Sequence, residues 1–177
     1  MNRLSLGIIV LLSCLPSYAA TSANYSEEGL SRASDTFESA LNLRDFKRIS
    51  SQTNRKIVEI LGGEAALIEA LRNNLDNLSF SDFRFHIKKR SCATVSPSIV
   101  CILPYSAKLV FEGEMYILDS FYLASTSDGG KNWYFADGNG AYRPGAMDFL
   151  FPGYKTKLQL PGKSKPRKQE VSGKPNT

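Results

Sequence analysis

The apolar positions follow a different pattern in each part of the chain, and the first is a continuous run at residues 4–12. The run follows the basic residue Arg3 and is followed by the small residues Ser17 and Ala19. A short basic start, an apolar run of this length and small residues before a cut are typical of a secretory signal peptide. We therefore predict that residues 1–19 are a signal peptide, cleaved after Ala19.

Two other interpretations of this segment stay open. Leu11, Leu12 and Ser13 before Cys14 resemble a bacterial lipobox, which would make Cys14 a lipidated N-terminus. The run is also compatible with a buried N-terminal helix. It is too short to span a bilayer, which takes about 20 apolar residues.

Apolar residues spaced three and four positions apart then predict three helices. The first begins at Leu30, and Asp45 has the residue type and position of an N-cap for the second. The pair Gly62-Gly63 ends the second helix, and the third runs to Leu78.

After the third helix the apolar period changes to two, which predicts four antiparallel strands. The strands are expected at residues 80–87, 99–112, 115–125 and 131–136, with a further short edge strand at 154–160. Pro104 lacks the backbone N–H that a central strand needs, so it indicates a bulge or an edge position. Residues 91–97 contain turn formers, and Asp128-Gly129-Gly130 predicts a tight hairpin turn.

Helices followed by strands favour the α+β class, with three N-terminal helices packed on one face of a curved antiparallel sheet of four or more strands. We assign residues 20–29 to a flexible lead-in and residues 30–160 to one domain. Residues 161–177 have no apolar periodicity, which predicts a disordered tail.

The net charge of +5 is concentrated in the tail, which holds five basic residues and one acidic residue. Because the rest of the mature chain is close to neutral, we expect no nucleic-acid partner for the folded domain. The tail itself admits three interpretations: a solvated terminus, a weak tether to an anionic membrane or cell-wall surface, and a nucleic-acid contact.

The cysteines also depend on the signal peptide. If Cys14 is removed, Cys92 and Cys101 remain, and an even pair in an oxidising compartment favours a disulfide. The one histidine, His86, is expected on the solvated face of its strand, opposite Phe83 and Phe85. One histidine and two cysteines that are expected to be bonded cannot form a metal cluster of ordinary spacing. The sequence therefore predicts no metal and no cofactor.

The order of elements resembles the nuclear transport factor 2-like superfamily, the cystatin-like cone that includes polyketide cyclases and ketosteroid isomerase. The resemblance is carried by residues 37–41, 42–46, 62–67 and 127–135. It implies that a strongly curved sheet wraps the helices around an apolar pocket whose open end binds ligands or partner proteins. The chain departs from the family in having no obvious strand between the second and third helices.

Isomerase and dehydratase members of that superfamily use an acid/base group inside the pocket, assisted by a tyrosine. Asp119 lies in the most apolar predicted strand, where desolvation would raise its pKa and suit it to act as a general base. Tyr105 or Tyr116 would supply the phenol. In the alternative interpretation a bulge turns Asp119 outward, or Asp119 caps a helix end.

Aromatic residues on adjacent strands are the candidates for ligand binding, although core packing accounts for about half of such a cluster. These candidates are Tyr105, Tyr116, Phe121, Trp133 and Phe135. The sequence therefore predicts an exported, periplasmic or secreted, non-enzymatic binding or accessory module for a small apolar ligand or an envelope protein. The alternatives are an isomerase or cyclase-type pocket enzyme using Asp119, and a structural subunit of a secretion or surface assembly.

Residues 126–133 also resemble a single Asp-box, the hairpin turn of sialidase-type propellers. Those propellers need several copies and a far longer chain. We therefore interpret this segment as a turn and not as a glycosidase site.

Overall fold

The computed structural model has an α+β fold with an open antiparallel sheet of six strands. The structure describes residues 25–75, 78–154 and 157–169. The predicted signal peptide, its cleavage site and Cys14 lie outside the described residues, as does the end of the tail from residue 170.

Five α-helices and six strands make up the described fold. The helices are α1 Glu27–Leu43, α2 Phe46–Gln52, α3 Arg55–Ile60, α4 Glu64–Leu75 and α5 Ala146–Leu150. The strands are β1 Leu78–Phe85, β2 Ser91–Val95, β3 Ser98–Phe111, β4 Glu114–Thr126, β5 Tyr134–Asp137 and β6 Arg167–Lys168. The central order is β1-β3-β4-β5, with β2 beside β3 and β6 beside β4.

The predicted second helix is divided into α2 and α3. Asp45 caps α2 as expected, since its carboxylate accepts from the backbone N–H of Arg48 at 3.0 Å. The helix stops because Thr53 turns extended and forms a parallel bridge with Phe135, and the N–H of Asn54 donates to the carbonyl of Phe135 at 2.8 Å. This bridge lies inside the predicted second helix, before the point between the second and third helices where the resemblance requires a strand.

The sheet is covered on both faces, whereas the sequence predicted cover on one. The helix-side core packs α1 and α2 against residues that include Phe83, Leu103, Tyr105 and Phe135. The outer core lies on the other face, where the chain after β5 brings Ala141, Met147, Phe151 and Leu158 against Val100, Ile102, Phe121 and Leu123. The edge strand predicted at residues 154–160 is therefore wrong for the residues that the structure describes. The described residues 157–160 are not in a strand, and Leu158 is buried instead.

Pro104 occupies a local edge of the sheet. The pairing of β3 with β4 continues through Pro104 without a shift, so there is no bulge in that ladder. On the opposite side of β3, β1 ends at Phe85 and β2 begins at Ser91, and the carbonyl of Pro104 accepts from His86 at 2.7 Å. Pro104 thus lies opposite the gap between β1 and β2. No ladder hydrogen bond is needed there, so the absence of a backbone N–H at Pro104 has no cost.

Residues 91–97, predicted as a turn, instead form β2 and a short turn into β3. Cys92 and Cys101 are directly opposite in this hairpin, with Cα atoms 4.0 Å apart, and form a disulfide. The predicted pairing is confirmed.

The tail differs from its predicted disorder over the part that the structure describes. Arg167 and Lys168 form β6 on the edge of β4, opposite Ile117 and Tyr116. Backbone pairing with β4 is accompanied by charge complementarity, since Arg167 bonds Asp119 and Lys168 bonds Glu114, each at 2.6 Å.

Candidate functional site

A cleft of about 400 Å³, which we call the α3 cleft, opens where α3 meets the β2–β3 turn. Its lining comprises residues 54–56, 95–98, 125–127, 134 and 150–152. Clefts of this size are large enough for a small organic ligand.

Contacts around α3 fix the walls of this cleft. The pairing of Asn54 with β5 holds the start of α3, and the guanidinium of Arg55 lies 5.3 Å from the centre of the Tyr134 ring. The ammonium of Lys56 donates to the carbonyls of Phe149 at 2.7 Å and Leu150 at 3.3 Å. Lys56 therefore anchors α5, while Arg55 lies along the aromatic wall of the cleft.

The charge of the α3 cleft has one sign. Arg55 and Lys56 line it, and its lining contains no Asp or Glu. Within the described ranges, neither side chain forms an ion pair with a carboxylate. Serine and threonine residues share the lining with the cations, and Val95, Pro97 and Phe151 give an apolar wall. This arrangement suits a ligand with an anionic head and an apolar body.

A second cleft, the tail cleft of about 440 Å³, lies on the outer face under residues 161–164. It contains Asp119 among its lining residues. Because side chains alternate along a strand, Asp119 lies on the same face of β4 as Phe121, which belongs to the outer core. The interpretation of Asp119 as a buried base is nevertheless wrong: its side chain is 57% exposed and paired with Arg167, as the outward-facing alternative expected, although no bulge turns it there. The outer core does not extend to Asp119. Burial therefore does not prepare this carboxylate to act as a general base.

His86 also lines the tail cleft. Its Nε2 lies 3.1 Å from the hydroxyl of Ser106, which faces Asp119 on the neighbouring strand. A catalytic triad requires the imidazole to lie between the hydroxyl and the carboxylate. Here the Ser106 hydroxyl lies between His86 and Asp119, and Asp119 is bonded to Arg167. The three groups therefore do not form a triad.

The helix-facing side of the sheet carries a group of titratable residues that the sequence did not single out together, the inner tyrosine cluster of Tyr105, Tyr122 and Asp137. Tyr122 faces Asp137 across β4 and β5, and the Tyr105 and Tyr122 ring centres are 5.4 Å apart. Burial raises the pKa of Tyr105 to about 12, and burial also raises the pKa of Tyr122 well above its usual value. Desolvation raises the pKa of Asp137, although the residue as a whole is exposed and accepts backbone hydrogen bonds from Asn139 and Gly140.

Replacing Asp137 by Asn should make stability less dependent on pH in a defined direction. A carboxyl whose pKa is raised by folding binds its proton more tightly in the native state, so its contribution is present at low pH and is lost as pH rises through the folded pKa. We expect Asp137→Asn to gain stability relative to wild type as pH rises above about 4, the ordinary value of an aspartate carboxyl. Urea denaturation at several pH values measures this. The exposed Asp35→Asn is the control, and parallel profiles for Asp137→Asn and wild type would contradict the prediction.

The five predicted ligand-binding aromatics do not line one pocket together, although Tyr105 and Phe121 both line the tail cleft. Tyr105, Trp133 and Phe135 are buried in the helix-side core, and Phe121 is buried on the opposite face in the outer core. Tyr116 is half-buried and donates to Glu114 at 2.9 Å. The interior that the resemblance assigned to a ligand is filled by these side chains.

Asp128 organises the predicted hairpin turn between β4 and β5. Its carboxylate accepts from the backbone N–H groups of Lys131 and Asn132, each at 3.0 Å, and from the Thr126 hydroxyl at 2.7 Å. These bonds, led by that from the Asn132 backbone, hold the pKa of Asp128 well below its usual range. Trp133 then turns into the core, where its indole N–H donates to the carbonyl of Gly130 at 3.1 Å.

For Asp128 the pH dependence has the opposite sign to that of Asp137. A depressed pKa contributes stability above the unfolded value and loses it as pH falls through the folded value. We expect wild type to lose more thermal stability than Asp128→Asn on acidification below about pH 4. Melting temperatures at neutral and acidic pH check this, and an equal acid-induced decrease in the two proteins would contradict it.

Comparisons with known proteins add no identification. No family model, no curated protein and no solved structure matches the chain. The described residues contain no group of three or more His, Cys, Asp or Glu side chains placed to hold a metal, and none of their helices combines the length and apolarity that a membrane crossing needs. The resemblance to the nuclear transport factor 2-like superfamily stays a prediction.

Proposed function

We propose that the protein is an exported, non-enzymatic binding module of the nuclear transport factor 2-like type whose α3 cleft takes a small amphiphilic anion. The observation that carries the proposal is the pairing of two cations with an apolar wall in a cleft that has no carboxylate lining it. Export is supported by the signal-peptide pattern of residues 1–19 and by the Cys92–Cys101 disulfide, since disulfides persist in oxidising compartments.

The proposed ligand differs from the wholly apolar one that the sequence favoured. The helix-side core is packed with aromatic rings, and Phe83 and Phe135 are each 1% exposed. An apolar molecule would have to displace these side chains, whereas the α3 cleft is already open. Arg55 adds a preference for a carboxylate, sulfonate or phosphate group, because charge-assisted hydrogen bonds are stronger than neutral ones.

Anilinonaphthalene sulfonate, an aromatic anion, is a suitable probe. We expect Arg55→Gln to weaken its binding by a factor of about 10 to 150, because a hydrogen bond to a charged group is worth about 1.5–3 kcal/mol. Binding to wild type should also weaken as salt is added. Fluorescence titration measures both effects.

The matched control for that titration is Arg32→Gln, which removes one exposed cation from α1. It should leave the affinity unchanged. Equal affinities for wild type and Arg55→Gln would remove Arg55 from the site. Native mass spectrometry of protein purified from its own compartment gives a second test, because a retained small anion supports the proposal and a retained protein supports the structural-subunit alternative.

Acid/base catalysis is a second candidate function, with Asp137 and not Asp119 as the base. The observation in its favour is the placement of Asp137, a solvent-exposed residue with a raised pKa at the end of β5, opposite Tyr122 and with Tyr105 beside that tyrosine. A carboxylate so placed would abstract a proton adjacent to a carbonyl while a phenol donates to the carbonyl oxygen. Deuterium exchange into an unsaturated cyclic ketone tests this, and the candidate fails if wild type exchanges no faster than Asp137→Asn.

A further inference from the structure

The edge of β4 between Glu114 and Asp119 is only partly paired. β5 pairs with β4 from Tyr122 to Ser125, and β6 pairs with Tyr116 and Ile117 alone. A row of strand N–H and C=O groups at a sheet edge is a template for another extended segment. This edge lies at the opposite end of β4 from the α3 cleft.

The chain's own tail rests on this edge through few contacts. Beyond the strand pairing, the N–H of Gln169 donates to the carbonyl of Met115 at 2.8 Å. The ion pairs Arg167–Asp119 and Lys168–Glu114 join side chains that are all 46% exposed or more. Exposed ion pairs are worth about 0–1 kcal/mol each, so a competing segment can replace the tail.

The two carboxylates set a pattern for what binds. Successive residues of a strand point to opposite faces of the sheet, so consecutive Arg167 and Lys168 project to the two faces. Asp119 and Glu114 alternate in the same way along β4, and one carboxylate therefore meets one cation on each face. A segment with two consecutive basic residues matches the edge, whereas basic residues two positions apart would lie on one face.

We propose that this edge of β4 is a strand-addition site for an extended segment with two consecutive basic residues from a partner protein, and that residues 167–168 are its resident occupant. Backbone pairing supplies affinity, and the two carboxylates supply the preference for charge. Met115, 38% exposed beside the edge, adds apolar contact area for the incoming strand.

The test uses the full chain carrying Arg167→Glu and Lys168→Glu, which repels the tail from the edge. The probe is a labelled peptide with the sequence of residues 164–170, followed by fluorescence anisotropy. We expect the tail-released protein to bind the peptide about tenfold more tightly than wild type, since two exposed ion pairs no longer compete. Adding Glu114→Gln and Asp119→Asn to this protein should abolish the gain.

Two control peptides sharpen the test. One has Gln in place of both basic residues, and the other separates them by one residue so that both cations lie on the same face. Both should bind the tail-released protein less tightly than the parent peptide. Equal binding of the parent peptide to wild type and tail-released protein, or equal binding of the three peptides, would overturn the proposal.

Discussion

Replacing Phe37 by Ala is expected to destabilise the fold by about 3–5 kcal/mol, the range for removing a fully buried aromatic ring. Phe37 is 2% exposed and joins α1 to the sheet. Its ring stacks on Phe135 with centres 4.3 Å apart and meets Tyr122 edge-on at 5.3 Å. The cavity left by alanine would lie between two rigid layers, which limits how far the surroundings can collapse.

Urea denaturation compares this variant with Leu43→Ala on the same helix. Leu43 is 74% exposed, and its truncation should change stability by no more than about 0.5 kcal/mol. Similar losses in the two variants would contradict the packing of α1 on the sheet through Phe37.

Removing the disulfide with Cys92→Ala and Cys101→Ala is expected to cost about 2–3 kcal/mol, because the bridge closes a short loop and restricts the unfolded chain. The two cysteines are nine residues apart and face each other in the β2–β3 hairpin. Cys101 is fully buried in the helix-side core, so its loss also removes packing. The hairpin's turn forms one wall of the α3 cleft, and the disulfide therefore helps to fix that wall.

Denaturant midpoints with and without a reducing agent measure this effect. Wild type should lose stability on reduction, and the double alanine variant should be unaffected because it has no bridge to break. Identical midpoints for oxidised and reduced wild type would contradict the stabilising role.

The parts of the fold that the sequence predicted are those set by local pattern. Strands β3 and β4 follow from long β-type apolar stretches and from turn residues such as Gly113 and Asp128, and α1 follows from one apolar stripe. The Cys92–Cys101 pairing was predictable because only these two cysteines remain once Cys14 leaves with the signal peptide.

The features that the sequence did not predict depend on distant partners. The break at Thr53 exists because Phe135, far along the chain, pairs with it. Asp119 has apolar neighbours in the sequence, yet its side chain is exposed because the outer core does not reach it. Its ion-pair partner, Arg167, comes from the distant tail. Asp137 joins Tyr122 through strand register, which a period of two does not specify.

The α3 cleft was missed for the same reason. Arg55 and Lys56 are adjacent in sequence and fall inside the predicted second helix, where they resemble ordinary solvated residues. Their role as a pair in a cleft depends on the β2–β3 turn and on the segment after α5 closing around them. Only the tertiary arrangement separates these two cations from the other basic residues of the chain.

The most direct test of an amphiphilic anion in the α3 cleft is a titration of the isotope-labelled protein with decanoate, followed by backbone amide chemical shifts. The predicted result is saturable shifts concentrated at residues 95–98 and 125–127 and at Arg55, with residues of the inner tyrosine cluster unchanged. Shifts concentrated at Tyr105, Tyr122 and Asp137, or no saturable shift at residues 95–98 and 125–127, would contradict it.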